Sequence, residues 1–161
     1  MAPQLAALDA VARLLDGARI DYWLFGGWAV DLYAGRVTRP HDDIDLAVWL
    51  ADVPRSSQLL NGDGWRHAPQ EGDDGGTGYE RAGVRLELTY LERDGAEVFT
   101  TFGFGRGIWP ADAFAADECE LEGVRSRVLA LPALKQAKSD KRGDAADQAK
   151  DRADLTILEQ L

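Results

Sequence analysis

Apolar residues Leu5, Leu8, Ala12 and Leu15 recur at helical spacing with Asp9, Arg13 and Asp16 between them, which predicts an amphipathic helix over 4–16 stopped by Gly17. Residues 21–25 (DYWLF) read as a buried strand ending at Gly26-Gly27, and 28–35 (WAVDLYAG) as a short helix closed by Gly35. Over 42–49 the period becomes two: Ile44, Leu46 and Val48 point one way, Asp43 and Asp45 the other. A short helix is predicted over 51–61, a brief strand over 65–68, and a flexible acidic loop over 69–78 (PQEGDDGGTG), read as a hairpin tip. Two antiparallel strands follow, 79–82 and 84–91, turning at Gly83. In the second, Val84, Leu86, Leu88 and Tyr90 share one face, and Arg85, Glu87 and Thr89 the other. Another strand is expected over 96–104, then irregular chain over 105–117 with Trp109 and Phe114 free to line a pocket, and a hairpin over 118–129. Two helices close the chain, 132–141 and 144–161, the last with Ala149, Ala153, Leu155, Leu158 and Leu161 as its apolar side.

These elements predict an α+β fold: a mixed, mainly antiparallel sheet with helices packed on it and helices at the C-terminus. No repeat or long linker divides it, so one domain is expected over 1–161, with the sheet at about 18–104 and the hairpin and closing helices at about 105–161.

Two neighbouring aspartates on one strand face repel each other, and aspartate is a poor strand former. A solvated strand would mix in Lys or Thr. Parallel carboxylates opposite an apolar face instead suit a hard divalent cation, Mg²⁺ or Mn²⁺, which removes the repulsion. Just upstream, a strand ending in Gly26-Gly27 and opening a helix lets a phosphate approach free backbone N–H groups, although a glycine pair there also serves as a plain tight turn. Neither GxGxxG nor GxxxxGK[ST] is present, which leaves a Rossmann site and a P-loop unsupported. Arg36 and Arg39 are placed to meet phosphate oxygens, or else remain solvated. Glu87 supplies a third carboxylate if its strand lies beside Asp43 and Asp45. Glu71, Asp73 and Asp74 either recruit a cationic acceptor or only solvate their loop.

Charge narrows the partners. A net charge of −10, from 28 acidic and 18 basic residues, repels a polyanion, so no nucleic acid is expected. Acidity suits divalent cations and cationic substrates; it also simply keeps a protein in solution. One cysteine, Cys119, excludes an internal disulfide framework, and with only two histidines argues against structural zinc. No apolar run nears the ~20 residues of a membrane span. MAPQLAALDAVARLLDG lacks a basic leader before an apolar block, so no secretory signal is read and a cytoplasmic location is expected.

The glycine pair followed by Asp-Ile-Asp on a strand resembles the polymerase-beta-like nucleotidyltransferase superfamily. Within it, GGWAVD…GRVTRPHDDIDL is similar to the antibiotic-modifying branch of aminoglycoside 2''-nucleotidyltransferases and small lincosamide nucleotidyltransferases, with Asp31, Arg39 and His41 in register. The C-terminal KDRADL also resembles a segment of that branch's last helix. The resemblance implies a nucleotidyltransferase fold and Mg²⁺-dependent transfer of a nucleoside monophosphate, expected to be AMP from ATP, to a hydroxyl of a small antibiotic-like molecule, with pyrophosphate leaving. Asp43 and Asp45 would bind two Mg²⁺ ions, Gly26 and Gly27 would cradle the triphosphate, and Glu87 would be the third metal ligand or general base. Arg39, with Arg36 behind it, would hold the outer phosphates. Relatives carry Asp in an LD pattern where this chain has Glu87 in LE. Trp109, Glu71, Asp73 and Asp74 are the candidate acceptor contacts. His41 is expected to fix its loop by hydrogen bonding, and Lys135 and Lys138 to reach a phosphate only if their helix folds back over the cleft. A protein hydroxyl as acceptor, as in antitoxin-like members, and a non-catalytic nucleotide-binding module are the alternatives. A monomer and a homodimer both fit.

Overall fold

The computed structural model of the protein describes residues 1–115 and 117–161. Helix α1 (Pro3–Gly17) buries Leu5, Leu8, Val11 and Leu15, the face its apolar spacing prescribes. Strand β1 (Tyr22–Phe25) runs into helix α2 (Gly26–Ala34), and β2 (Ile44–Trp49) leads through a single 3-10 turn into α3 (Val53–Gly62). Then come β3 (Arg66–His67), β4 (Gly76–Arg81), β5 (Val84–Asp94), β6 (Glu97–Phe102) and β7 (Gly105–Ile108). A hairpin of β8 (Glu118–Leu121) and β9 (Val124–Arg127) precedes α4 (Leu131–Ser139) and α5 (Ala145–Glu159).

Strands β1 to β5 pair in the order β1-β2-β5-β4-β3, and the far end of β5 carries β6 and then β7. Only the β2–β5 pair is parallel among these strands, which makes the sheet mixed and mainly antiparallel, as expected. One sheet face packs Tyr22, Leu24, Ile44, Leu46, Val48, Leu86 and Leu88 in a core with Leu5, Leu8 and Val11 of α1. The opposite face carries a smaller cluster, Trp23, Ala47, Leu91 and Val98, backed by Phe25, Trp49, Trp109 and Phe114. Among the described residues no helix is long and apolar enough to cross a membrane.

Several boundaries differ from the expected ones, each for a local reason. Helix α2 starts at Gly26 instead of Trp28, because the positive φ of Gly26 (70°) turns the strand straight into the helix. Strand β2 starts at Ile44, so Asp43 lies immediately before it. Residues 76–78 belong to β4 and not to a loop: a Cβ on Gly76 would sit 2.0 Å from the Leu88 carbonyl oxygen, so glycine there marks backbones in close approach. Residues 105–108, expected to be irregular, form β7, with Gly107 under the Phe102 ring. The apolar side expected for the last helix is also corrected. Ala149, Ala153 and Leu161 are exposed, and the buried positions of α5 are Asp151, Asp154 and Leu158. Two buried carboxylates on one helix need counter-charges.

Candidate functional site

Phe25, Asp45 and Glu87 are register partners on three adjacent strands, with Gly78 next in the row. They therefore share a face, and the carboxylates sit at the polar end of the Trp23–Ala47–Leu91 cluster. The glycine pair makes room for them. A Cβ on Gly26 would lie 2.3 Å from Asp45 Oδ2, and one on Gly27 would lie 2.3 Å from His41 Nδ1 and 2.9 Å from Arg39 Nη2. Helix α2 has no side-chain cap, so its first N–H groups open beside these residues.

The loop between α2 and β2 is tied down by Asp31, which is fully buried (0% exposed). Asp31 Oδ1 accepts hydrogen bonds from the Thr38 backbone N–H (3.1 Å) and hydroxyl, while Oδ2 pairs with His41 Nε2 at 2.6 Å. The His41 ring packs on Trp28, and its carbonyl accepts from Gln4. His41 thus fixes the loop that delivers Arg39 on one side and Asp43 on the other.

Arg39 donates through Nε (3.0 Å) and Nη2 (2.8 Å) to Asp154 on α5. Lys138 of α4 reaches Asp154 at 2.9 Å and Asp151 at 3.3 Å, and Arg142 reaches Asp151 at 3.0 Å. Burial alone would raise the Asp154 pKa, but the hydrogen bonds from Arg39 and Lys138 outweigh it and hold the carboxyl below its ordinary value. Lys150 joins the same helix to Asp42 at 3.0 Å. A cavity of about 180 Å³ is lined by Gly26, Gly27, Arg39, Asp43, Asp45 and Lys138, with Arg142 and Lys150 at its edge. Helix N–H groups, four cations and four carboxylates (Asp42, Asp43, Asp45 and Asp147) around one small cavity suit a polyphosphate carrying divalent cations.

Beside it lies a larger cavity of about 670 Å³ that shares Gly26, Asp45, Lys138 and Arg142 with the first. Its apolar walls are Phe25, Phe102, Phe104, Trp109, Leu134 and Ala137, and Asp140 and Lys141 also line it. Trp109 is held in place by a 2.9 Å hydrogen bond from Nε1 to Thr100 and by edge contacts with Phe25 and Phe114.

The carboxylates repel one another. Asp45 is pushed up to about 8 by burial, then by the charges of Asp43 and Glu87, with Lys138 and Arg142 opposing. Asp43 is raised by burial and by the Asp42 charge. Glu87 is raised by burial, against its ion pair with Arg85. Among the described residues no three His, Cys, Asp or Glu side chains close on one point. Hard-oxygen carboxylates that favour protonation still fit Mg²⁺, which binds one or two protein carboxylates together with substrate phosphates and seldom sits in an all-protein cage.

The other expected contacts scatter. Arg36 is exposed and does not line either cavity. Glu71 is exposed; Asp73 accepts from the Gln70 N–H at 2.8 Å and lies near enough to Glu87 to help raise its pKa. Asp74 accepts from the Gly103 N–H at 3.0 Å, which ties the acidic loop to the β6–β7 turn. Lys138 is buried in the ion cluster, not solvated, whereas Lys135 lies outside both cavities. Asp31, Arg142, Lys150, Asp151 and Asp154 had no role in the sequence reading. The signal for the last two was the three-residue spacing inside KDRADL, which puts both carboxylates on one helix face.

The profile of a family described as aminoglycoside-2''-adenylyltransferase matches residues 7–158. A 2''-aminoglycoside nucleotidyltransferase of Escherichia coli is 44% identical over 43 residues, 27% of this chain and 24% of that protein, and a protein of the same description from Klebsiella pneumoniae matches equally. The match thus spans about a quarter of the length of these curated relatives. Among solved structures, the lincomycin-bound lincosamide antibiotic adenylyltransferase LnuA superposes with a TM-score of 0.75 at 18% identity, covering 99% of this chain and 97% of that one. ANT(2'')-Ia in complex with adenylyl-2''-tobramycin gives a TM-score of 0.74 at 22% identity, covering 99% and 89%. At these identities the likeness shows the fold, and it is the nucleotidyltransferase fold expected from the sequence.

Proposed function

The chain belongs to the aminoglycoside-2''-adenylyltransferase family, and from that premise we propose that it transfers AMP from ATP to a hydroxyl of a small antibiotic-like acceptor, releasing pyrophosphate. The observation that carries this reading is the pair of adjoining cavities. A pocket lined by four cations and four carboxylates at the start of α2 shares Asp45 with an aromatic-walled cavity large enough for an organic group. Asp45 is thus placed where a phosphorus atom in one cavity would meet a ligand entering from the other.

Gly26 and Gly27 open the backbone N–H groups of α2 to the triphosphate, and Arg39, Lys138 and Arg142 surround its outer phosphates. Two Mg²⁺ ions on Asp43 and Asp45, with Glu87, would lower the pKa of the acceptor hydroxyl and offset charge on the entering and leaving oxygens. Glu87 takes the hydroxyl proton, and its raised pKa suits that role. Arg85 holds the Glu87 carboxylate in place through its Nε–H. The cleft fixes an in-line approach to the α-phosphorus. Aminoglycoside-like and lincosamide-like acceptors are the leading classes. Exposed Glu71 and Asp73 offer charge to a cationic acceptor; Asp74 is occupied by the β6–β7 turn.

The test is incubation with Mg²⁺, each NTP in turn, and a panel of aminoglycosides and lincosamides. Pyrophosphate release together with a nucleotide mass on the drug is expected. NTP binding without turnover of any drug would sink the antibiotic reading.

A further inference from the structure

The buried charges of α5 take no part in the chemistry just described, yet they hold the groups that do. Asp154 is fully buried (0% exposed) and bonds two cations from different parts of the chain, Arg39 in the α2–β2 loop and Lys138 on α4. We propose that Asp154 is a positioning residue that holds Arg39 and Lys138 with their spare N–H donors turned to the polyphosphate, so that nucleotide affinity depends on a carboxylate that never touches the nucleotide. The inference rests on reading the small cavity as the nucleotide site.

Donor accounting supports it. A guanidinium has five N–H donors. In Arg39, Asp154 takes two and the Pro40 carbonyl takes one, so two are left. Those lie on Nη1 and Nη2, and Nη2 sits against Gly27 at the open start of α2. The Lys138 ammonium has three donors, with Asp151 and Asp154 taking two. The spare donors belong to residues that line the small cavity.

Charge points the same way. Arg39, Lys138, Arg142 and Lys150 line the small cavity together with Asp42, Asp43, Asp45 and Asp147, and Asp151 and Asp154 back the first three cations. The site thus has no positive excess of its own, and polyphosphate binding depends on directed N–H donors and on divalent cations held by the carboxylates. Without Asp154, Arg39 would relax into water, and its rotamers would have to be fixed again on each binding event.

The experiment compares wild type with Asp154→Asn, Asp154→Glu, Arg39→Ala and the Arg39→Ala/Asp154→Asn double variant. It measures binding of inorganic tripolyphosphate and of ATP with Mg²⁺ by titration calorimetry, alongside thermal melts and steady-state kinetics. Asp154→Asn is expected to lose at least about tenfold in affinity for both probes, the effect of one charge-assisted hydrogen bond, with the acceptor KM unchanged. Asp154→Glu, which restores the charge one methylene out, should regain part of it. The double variant should lose less than the sum of the two single losses, the remainder being the part that acts through Lys138. Wild-type affinity in a folded Asp154→Asn, or strict additivity in the double variant, overturns the proposal. If Asp154→Asn does not fold, Asp154→Ser is measured in its place, and undiminished binding by it overturns the proposal equally. A wild type that binds neither probe defeats both this inference and the nucleotide reading. A wild type that binds ATP, is weakened by Asp154→Asn and modifies no drug defeats only the antibiotic reading.

Discussion

Replacing Asp45 by Asn should abolish transfer and, in the metal-free protein at pH 8, make the fold more stable. The Asp45 carboxyl has a folded pKa of about 8 against an ordinary 3.8, raised first by burial and then by Asp43 and Glu87. Below pH 4 it is protonated in folded and unfolded chains alike and contributes no difference. Between pH 4 and 8 the unfolded chain has lost the proton and the folded chain keeps it, so wild-type stability falls as pH rises, then levels above 8. At about 1.4 kcal/mol per pH unit, the ceiling over this window is about 6 kcal/mol. Proton sharing with Asp43 and Glu87 spreads the titration, and roughly half of that, ~3 kcal/mol, is the expected gain for asparagine. For a chain of this size that is roughly 6–12 °C in Tm. Melts in EDTA from pH 4 to 9 measure it: the variant should melt with wild type at pH 4 and pull ahead toward pH 8. Added Mg²⁺ should stabilise wild type and not the variant. A constant gap across pH, or a variant less stable than wild type at pH 8, would refute the reasoning.

Gly26→Ala should lower both activity and stability, because its Cβ would meet Asp45 Oδ2 at 2.3 Å with φ at 70°. A penalty of about 1–3 kcal/mol in urea melts is expected. Asp31→Ala removes the acceptor of Thr38 and His41 from a site with no water contact and should cost about 3–5 kcal/mol, read as a lower Tm together with lost ATP binding. Phe104 is 81% exposed at the rim of the larger cavity and stacks on Phe102. Phe104→Ala should leave stability within about 0.5 kcal/mol and raise a substrate KM; unchanged kinetics would mean that this rim does not meet ligand.

The sheet was legible because two-residue alternation in 42–49 and 84–91 separates an apolar face from a polar one, and the same parity placed Asp45 and Glu87 on one side. Glycine misled in both directions. Gly76 and Gly107 looked like loop residues, yet they sit inside strands where a neighbouring backbone or ring leaves no room for a side chain. The cations of the site were the least readable part. Lys138 looks like any helix lysine, and only three-dimensional packing reveals that Asp151 and Asp154 draw it inward. The acidic loop has a similar blind spot: composition does not show that Asp74 already accepts from the Gly103 N–H.

The ion pairs that complete the site span most of the chain: Arg39 and Asp154 are 115 residues apart, and Asp42 and Lys150 are 108 apart. Closing a loop that long costs more chain entropy than pairing β2 with β5, which joins Asp45 and Glu87 from a shorter stretch. If α5 docks last, the self-repelling acids stand for a time without the cations that face them. A dissolved divalent cation would ease such a state by offsetting the repulsion between the carboxylates. Refolding in Mg²⁺ without nucleotide should then be faster than in EDTA, and equal rates would show that the acids meet only after α5 has docked.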